Sequence, residues 1–168
     1  MKDYVYPPVV IGIKGFWKYL GLQFKFKGQE HLPKKGGAIL AMNHVGYLDF
    51  AIAGTAVLPI GRYVRFMAKK SIFDNKLVGP LMRGMHHISV DRDNGSTSFV
   101  AAMRALKAGE LVGIFPEATI SRSWEIKDLK SGAVRLSQGA EVPIIPTIIW
   151  GSQRIYTKGR KPNFKRNK

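Results

Sequence analysis

The run Ala38-Ile-Leu-Ala-Met-Asn43-His44-Val-Gly46-Tyr-Leu-Asp49 sets an imidazole and a carboxylate five positions apart, just past an apolar stretch. A buried strand delivers Asn43 and His44 at its exit, and one turn brings His44 back toward Asp49, where a helix begins. The chemistry open to such a pair is deprotonation of an alcohol. A neutral imidazole accepts the proton, while a carboxylate on its other nitrogen fixes the tautomer and stabilises the imidazolium. General-base assistance of this kind contributes about 10²–10⁴-fold in rate. The same residues admit a plainer reading, in which Asp49 caps a helix and His44 is a loop histidine satisfied by its neighbours.

Two further polar clusters end apolar runs. Ile88-Ser-Val90 passes into Asp91 and Arg92, and Leu111-Val-Gly-Ile-Phe115 passes into Pro116, Glu117, Ala118, Thr119, Ile120, Ser121 and Arg122. Arg92 suits a phosphate because its planar fork donates two parallel hydrogen bonds. Glu117 is placed to accept from substrate hydroxyls or to steady a base; the alternative is an acid at a helix start. Other chemistries lack their residues. With no Cys there is no disulfide, thiolate metal site or cysteine nucleophile. No Gly-x-Ser-x-Gly elbow, phosphate-binding Gly-rich loop or His-Glu-x-x-His occurs, so neither a metal nor a bound cofactor is expected. His86 and His87, adjacent at a strand mouth, face opposite ways and read as structural or surface residues.

The elements that must position these groups alternate. Strand-like runs occur at Leu22 to Lys27, Ala38 to Met42, Tyr63 to Met67, Ile88 to Val90, Leu111 to Phe115 and Ile144 to Trp150. Between them, helical patterns cover Asp49 to Leu58, Asn75 to Met82, Thr97 to Lys107 and Gly132 to Gln138, the third with Ser96 as N-cap and Gly109 as its stop. Strand and helix in alternation predict an α/β single domain, a central mixed, largely parallel sheet flanked by helices. In such sheets reactive groups gather where strands hand over to loops.

Length and charge bound the rest. The 168 residues suit one domain, and 27 Lys and Arg against 11 Asp and Glu leave a formal charge of +16. That sign fits nucleic acid and anionic lipid alike. No window reaches the roughly 18 uninterrupted apolar residues of a spanning helix. Val5 to Leu22 nevertheless places Val9, Val10, Ile13, Phe16, Trp17 and Leu20 near helical spacing beside Lys14 and Lys18, the pattern of an interfacial amphipathic helix or of a terminal helix packed on the core. The expected organisation is a membrane-docking segment over 1–21, a catalytic domain over 22–152, and a basic tail or truncated C-terminal part over 153–168.

Taken together, the blocks resemble the glycerolipid acyltransferase family, whose best-known members are 1-acylglycerol-3-phosphate acyltransferases. Asn43-His44-Val-Gly46-Tyr-Leu-Asp49 resembles the family's Asn-His-x-Ser-x-x-Asp, and Ile88-Ser-Val-Asp91-Arg92 the block ending in Arg. Phe115-Pro116-Glu117-Ala118-Thr119 resembles Phe-Pro-Glu-Gly-Thr, and Val142-Pro143-Ile-Ile-Pro146 the final Val-Pro-x-x-Pro. The likeness runs over roughly residues 22 to 151, with all four blocks in order. The departures are Gly46 for Ser, Ala118 for Gly, and Ile120 for the Arg that follows Thr.

The resemblance implies His44 as the base, Asp49 as its orienting carboxylate, and Arg92, Glu117 and Thr119, with Asn43, as the acceptor site gripping glycerol phosphate. Arg122, Lys69 or Lys130 would supply the charge absent at Ile120. No cofactor is implied; the donor is a fatty acyl thioester on coenzyme A or acyl carrier protein, attacked directly by the hydroxyl of lysophosphatidic acid to give phosphatidic acid. The implied partners are an anionic membrane surface, a lysophospholipid acceptor and the acyl thioester, with no nucleic acid, and the implied location is peripheral or monotopic on the cytoplasmic face of a membrane. The alternatives are the same chemistry on glycerol-3-phosphate, another lysophospholipid or a glycolipid, or a non-catalytic nucleic-acid-binding or membrane-binding module.

Overall fold

The computed structural model describes residues 3–91 and 95–166. Five strands form one sheet: β1 (Ala38–Met42), β2 (Val64–Lys69), β3 (Ile88–Val90), β4 (Leu111–Ile114) and β5 (Ile144–Thr147), in the order β3-β2-β4-β1-β5. Every pairing among the described residues is parallel, so the sheet they form is all-parallel and not mixed. The reason lies in the connections: between successive strands the chain always passes through a helix, which returns it to the same edge of the sheet.

The interior strand β1, between β4 and β5, is apolar throughout because both its faces are covered. Leu40 and Met42 face α2 (Asp49–Val57) with Ala53, Val57 and Phe66, while Ile39 joins Leu106, Val112 and Leu136 beneath α5 (Gly95–Lys107) and α6 (Gly132–Ala140). Two shorter helices, α3 (Lys70–Phe73) and α4 (Val78–Gly84), connect β2 to β3. Gly109 ends α5 as expected: at φ +83° its N–H bonds Leu106 O at 2.9 Å, and Glu110 N bonds Ala105 O at 3.0 Å.

Several elements depart from the expected boundaries. Residues 22–27 form no strand; the alternation of Leu22 and Phe24 arises because both pack against Trp17 and its neighbours on α1 (Tyr6–Leu20) without a ladder partner. Ser96 lies inside α5, which starts at Gly95. Helix α4 starts at Val78 because Asn75 Oδ1 accepts from the N–H groups of Leu77 (2.9 Å) and Val78 (3.0 Å), making a turn ahead of it. Strand β5 stops at Thr147, since β1 ends opposite at Met42 and the side chain of Asn43 takes over the pairing.

Helix α1 is packed along the domain, with Tyr6, Trp17 and Leu20 buried. Tyr6 Oη donates to Val64 O at 2.6 Å, and its ring stacks on Tyr63. Ahead of the helix, Asp3 makes a bidentate pair with buried Arg65 at 2.7 and 2.9 Å. Glu110 and the carbonyl of Met85 take the remaining guanidinium donors, so all five N–H groups of Arg65 are engaged. Burial opposes the charge on Arg65, but these carboxylates more than offset it, and its pKa lies above the ordinary value. No helix among the described residues is long and apolar enough to cross a membrane.

The basic run starts later than position 153. Ser152, Gln153, Ile155 and Thr157 are buried, Ser152 and Thr157 by bonds to Asp49 and Val45 O and Ile155 among Trp17, Leu20 and Ala51, and only from Lys158 onward is the chain continuously exposed.

Candidate active site

Because all five strands are parallel, their C-terminal ends share one edge, which gathers the chain after β1, β4 and β5. His44 follows β1, and its Nδ1 lies 2.9 Å from Asp49 Oδ2. Asp49 is the first residue of α2 and 0% exposed, but its carboxylate turns back from the helix. Oδ2 also accepts from the N–H groups of Val45 (2.8 Å) and Gly46 (2.9 Å), and the hydroxyl of Ser152 donates to Oδ1. A carboxylate so surrounded by donors is an acceptor only, so Nδ1 of His44 carries the proton and Nε2 is the basic nitrogen. The helix-cap reading of Asp49 therefore gives way: it bonds the turn before the helix, and Leu48 occupies the N-cap position.

The imidazole is held in plane and in place by the chain after β4. Phe115 stacks on it with ring centroids 4.1 Å apart and planes 25° from parallel. Both main-chain polar groups of His44 are clamped by the same loop: its N–H donates to Glu117 Oε1 at 2.7 Å, and its carbonyl accepts from Ser121 N at 2.7 Å. The side chain keeps about 20% of its surface open.

Two residues expected at the acceptor site face elsewhere. Glu117 is only 4% exposed, and its second oxygen accepts from Lys127 N at 3.2 Å. It joins the loop to the backbone of His44 and does not present a carboxylate to a hydroxyl. Asn43 spends both ends of its amide on Ile149, donating to its carbonyl at 3.0 Å and accepting from its N–H at 2.7 Å, so it ties β1 to the exit of β5. Thr119, Lys69, Arg122 and Lys130 are exposed. Lys69 ends β2, two strand spacings or about 10 Å from β1. Lys130 is anchored beside the exit of β4, its N–H bonded to Pro116 O at 3.1 Å. Arg92 lies outside the described residues.

Ala118 sits in the left-handed region at φ +55°, which explains why the resembled block carries Gly at that place. Ile120, at the place of the block's Arg, is buried. Phe115 and Ser152 escaped the sequence reading as site residues. Phe115 had a signal in its adjacency to Pro116-Glu117, whereas Ser152 lies 103 positions from Asp49 and had none. No group of three or more His, Cys, Asp or Glu able to hold a metal ion occurs among the described residues.

Residues 23–150 match the family described as Acyltransferase. The chain belongs to that family. Among its curated relatives, the 1-acyl-sn-glycerol-3-phosphate acyltransferase of Bacillus subtilis (strain 168) is 36% identical over 140 residues, covering 81% of this chain and 68% of that protein. The protein of the same name from Limnanthes douglasii is 34% identical over 154 residues, covering 89% of this chain and 53% of its own length. Among solved structures, the crystal structure of the 1-acyl-sn-glycerophosphate (LPA) acyltransferase PlsC from Thermotoga maritima superposes with a TM-score of 0.71 at 25% identity, over 90% of this chain and 62% of that one. The chain thus spans between about half and two thirds of the length of these three proteins.

Proposed function

We propose that this acyltransferase moves a fatty acyl group from a thioester of coenzyme A or acyl carrier protein to the free hydroxyl of lysophosphatidic acid, giving phosphatidic acid and the free thiol. The observation that carries the reading is His44, held at Nδ1 by a buried carboxylate while its side chain stays part-exposed. Nε2 takes the proton of the acceptor hydroxyl as its oxygen attacks the thioester carbonyl. The tetrahedral adduct collapses by breaking the C–S bond, and the imidazolium returns its proton to the departing sulfur. Asp49 stabilises the transient imidazolium and stays ionised.

The surroundings fit these reactants. Cationic Lys69, Arg122 and Lys130 offer charge for the acceptor phosphate, with Arg92 from the block that resembles the family's. Exposed Ile11 and Tyr19 beside Lys14 and Lys18 suit α1 to the interface of an anionic membrane, such as a cytoplasmic leaflet.

Purified protein mixed with acyl-CoA and vesicles containing lysophosphatidic acid should form phosphatidic acid with matching release of thiol. Thiol release that does not depend on the acceptor, or duplex or RNA binding with no acyl transfer, would contradict the reading. A second acceptor is favoured by one observation: buried Ile120 replaces the Arg of the third block. A panel with glycerol-3-phosphate, other lysophospholipids and a glycolipid in place of lysophosphatidic acid separates the two.

A further inference from the structure

We propose that Ser152 is a positioning residue for the His44–Asp49 pair, its hydroxyl doing the work of a hydroxyl side chain at position 46. The proposal deepens the function proposed above and rests on it.

The carboxylate of Asp49 has two different sides. Oδ2 is held by three N–H donors, those of His44, Val45 and Gly46, all from the turn immediately before the helix. Oδ1 points the other way, toward the segment after β5, where the hydroxyl of Ser152 meets it. Ser152 is 1% exposed, so water does not substitute for it there. With Oδ1 unpaired, the carboxylate can swing about its Cβ–Cγ bond, and every such swing moves Oδ2 off Nδ1 of His44. Filling Oδ1 fixes the plane in which Oδ2 faces the imidazole.

The segment carrying Ser152 is itself built onto the turn. Tyr47 N donates to Tyr156 O at 2.9 Å, Thr157 Oγ1 donates to Val45 O at 2.6 Å, and the rings of Tyr47 and Tyr156 lie 4.5 Å apart. Within it, the carbonyl of Ser152 accepts from Ile155 N (3.0 Å) and Tyr156 N (3.1 Å). Ser152 is therefore delivered to Asp49 by a fixed loop, and it lies beyond the 23–150 stretch that matches the family.

Position 46 supplies the second observation. A Cβ on Gly46 would lie 2.7 Å from Ser152 Oγ, and 3.0 Å from both the carbonyl carbon of Ser152 and Tyr156 O. Real Cβ atoms do not come as near as 2.7 Å, so a side chain at 46 and the hydroxyl at 152 exclude each other, while the two backbone contacts are tight and ask for a shift of a few tenths of an ångström. The block that the His44 segment resembles carries Ser where this chain has Gly46. One pocket beside Oδ1 thus has room for one hydroxyl, and this chain fills it from residue 152.

The test is a four-protein set: wild type, Ser152→Ala, Gly46→Ser, and the double variant, compared by kcat and KM for acceptor-dependent thiol release, thermal midpoint, and the downfield Nδ1–H proton resonance of His44. Loss of a hydrogen bond to a buried charge predicts a fall of about 10–100-fold in kcat for Ser152→Ala, with KM for the acceptor nearly unchanged. Gly46→Ser falls too, because two side chains then claim one space. The double variant recovers above both singles and regains the His44 resonance that Ser152→Ala loses. Wild-type kcat in Ser152→Ala overturns the proposal, as does a double variant that is unfolded or no better than either single. A wild type with no turnover contradicts the proposed function instead; the resonance then still tests the positioning, which fails if Ser152→Ala keeps it.

Discussion

Nδ1 of His44 stands 2.9 Å from Oδ2 of Asp49, a carboxylate with no exposed surface, and this contact sets which imidazole nitrogen is free. Asp49→Asn replaces an acceptor by an amide that can present N–H to Nδ1. That favours the tautomer with the proton on Nε2, where it blocks proton abstraction. Turnover should fall about 10³–10⁴-fold. Stability should fall as well, since the backbone donors of Val45 and Gly46 lose a charged partner. Steady-state kinetics on folded protein, with a thermal melt, check both.

Glu117 separates two accounts of one residue. A carboxylate that grips the acceptor would, when changed to Gln, raise KM for that acceptor. The structure instead joins its oxygens to the N–H groups of His44 and Lys127. Glu117→Gln should therefore lower stability by about 1–3 kcal/mol and lower kcat, with little change in KM.

Ala118 pays a conformational cost at φ +55°. Ala118→Gly relieves about 1–2 kcal/mol of left-handed strain, against about 0.4–1 kcal/mol of added freedom in the unfolded chain. A net gain of about 0.5–1 kcal/mol is expected, seen as a higher denaturation midpoint with activity retained.

Much of this was legible in the residues. The buried run 38–42 read as a strand and is one, and the His44-to-Asp49 spacing read as one turn and closes as one. Local signals of this kind act over a few positions, so sequence carries them. The inward placement of Glu117 and Asn43 was not legible, because their partners are backbone groups distant in the chain: His44 lies 73 positions from Glu117, and Ile149 lies 106 from Asn43. A carboxylate or amide beside a strand exit looks the same in sequence whether it faces solvent or the main chain. The packed 152–157 segment was hidden for another reason, since its polar composition imitates a solvated tail while its side chains satisfy the turn beneath.

His87 gives a pH signature. Burial, reinforced by the Arg65 guanidinium and by His86, lowers its pKa from 6.5 to about 4, and its Nδ1 accepts from Phe66 N at 3.1 Å. Between those values the unfolded chain binds a proton that the folded one does not, so stability is full above about 6.5 and falls as pH drops toward about 4. The loss amounts to about 3 kcal/mol. Asp3, whose pKa is held below 3.8 chiefly by its hydrogen bond to Arg65, acts in a lower window. His87→Gln, which keeps an acceptor for Phe66 N, should flatten the slope between pH 6.5 and 4 in denaturant titrations.

The most direct measurement compares wild type with His44→Ala for thiol release from an acyl thioester in the presence of lysophosphatidic acid, with melting curves recorded alongside. The imidazole is part-exposed and its backbone partners remain, so His44→Ala should fold as wild type does while acceptor-dependent release disappears. Turnover retained in a folded His44→Ala protein would contradict its assignment as the base that activates the acceptor.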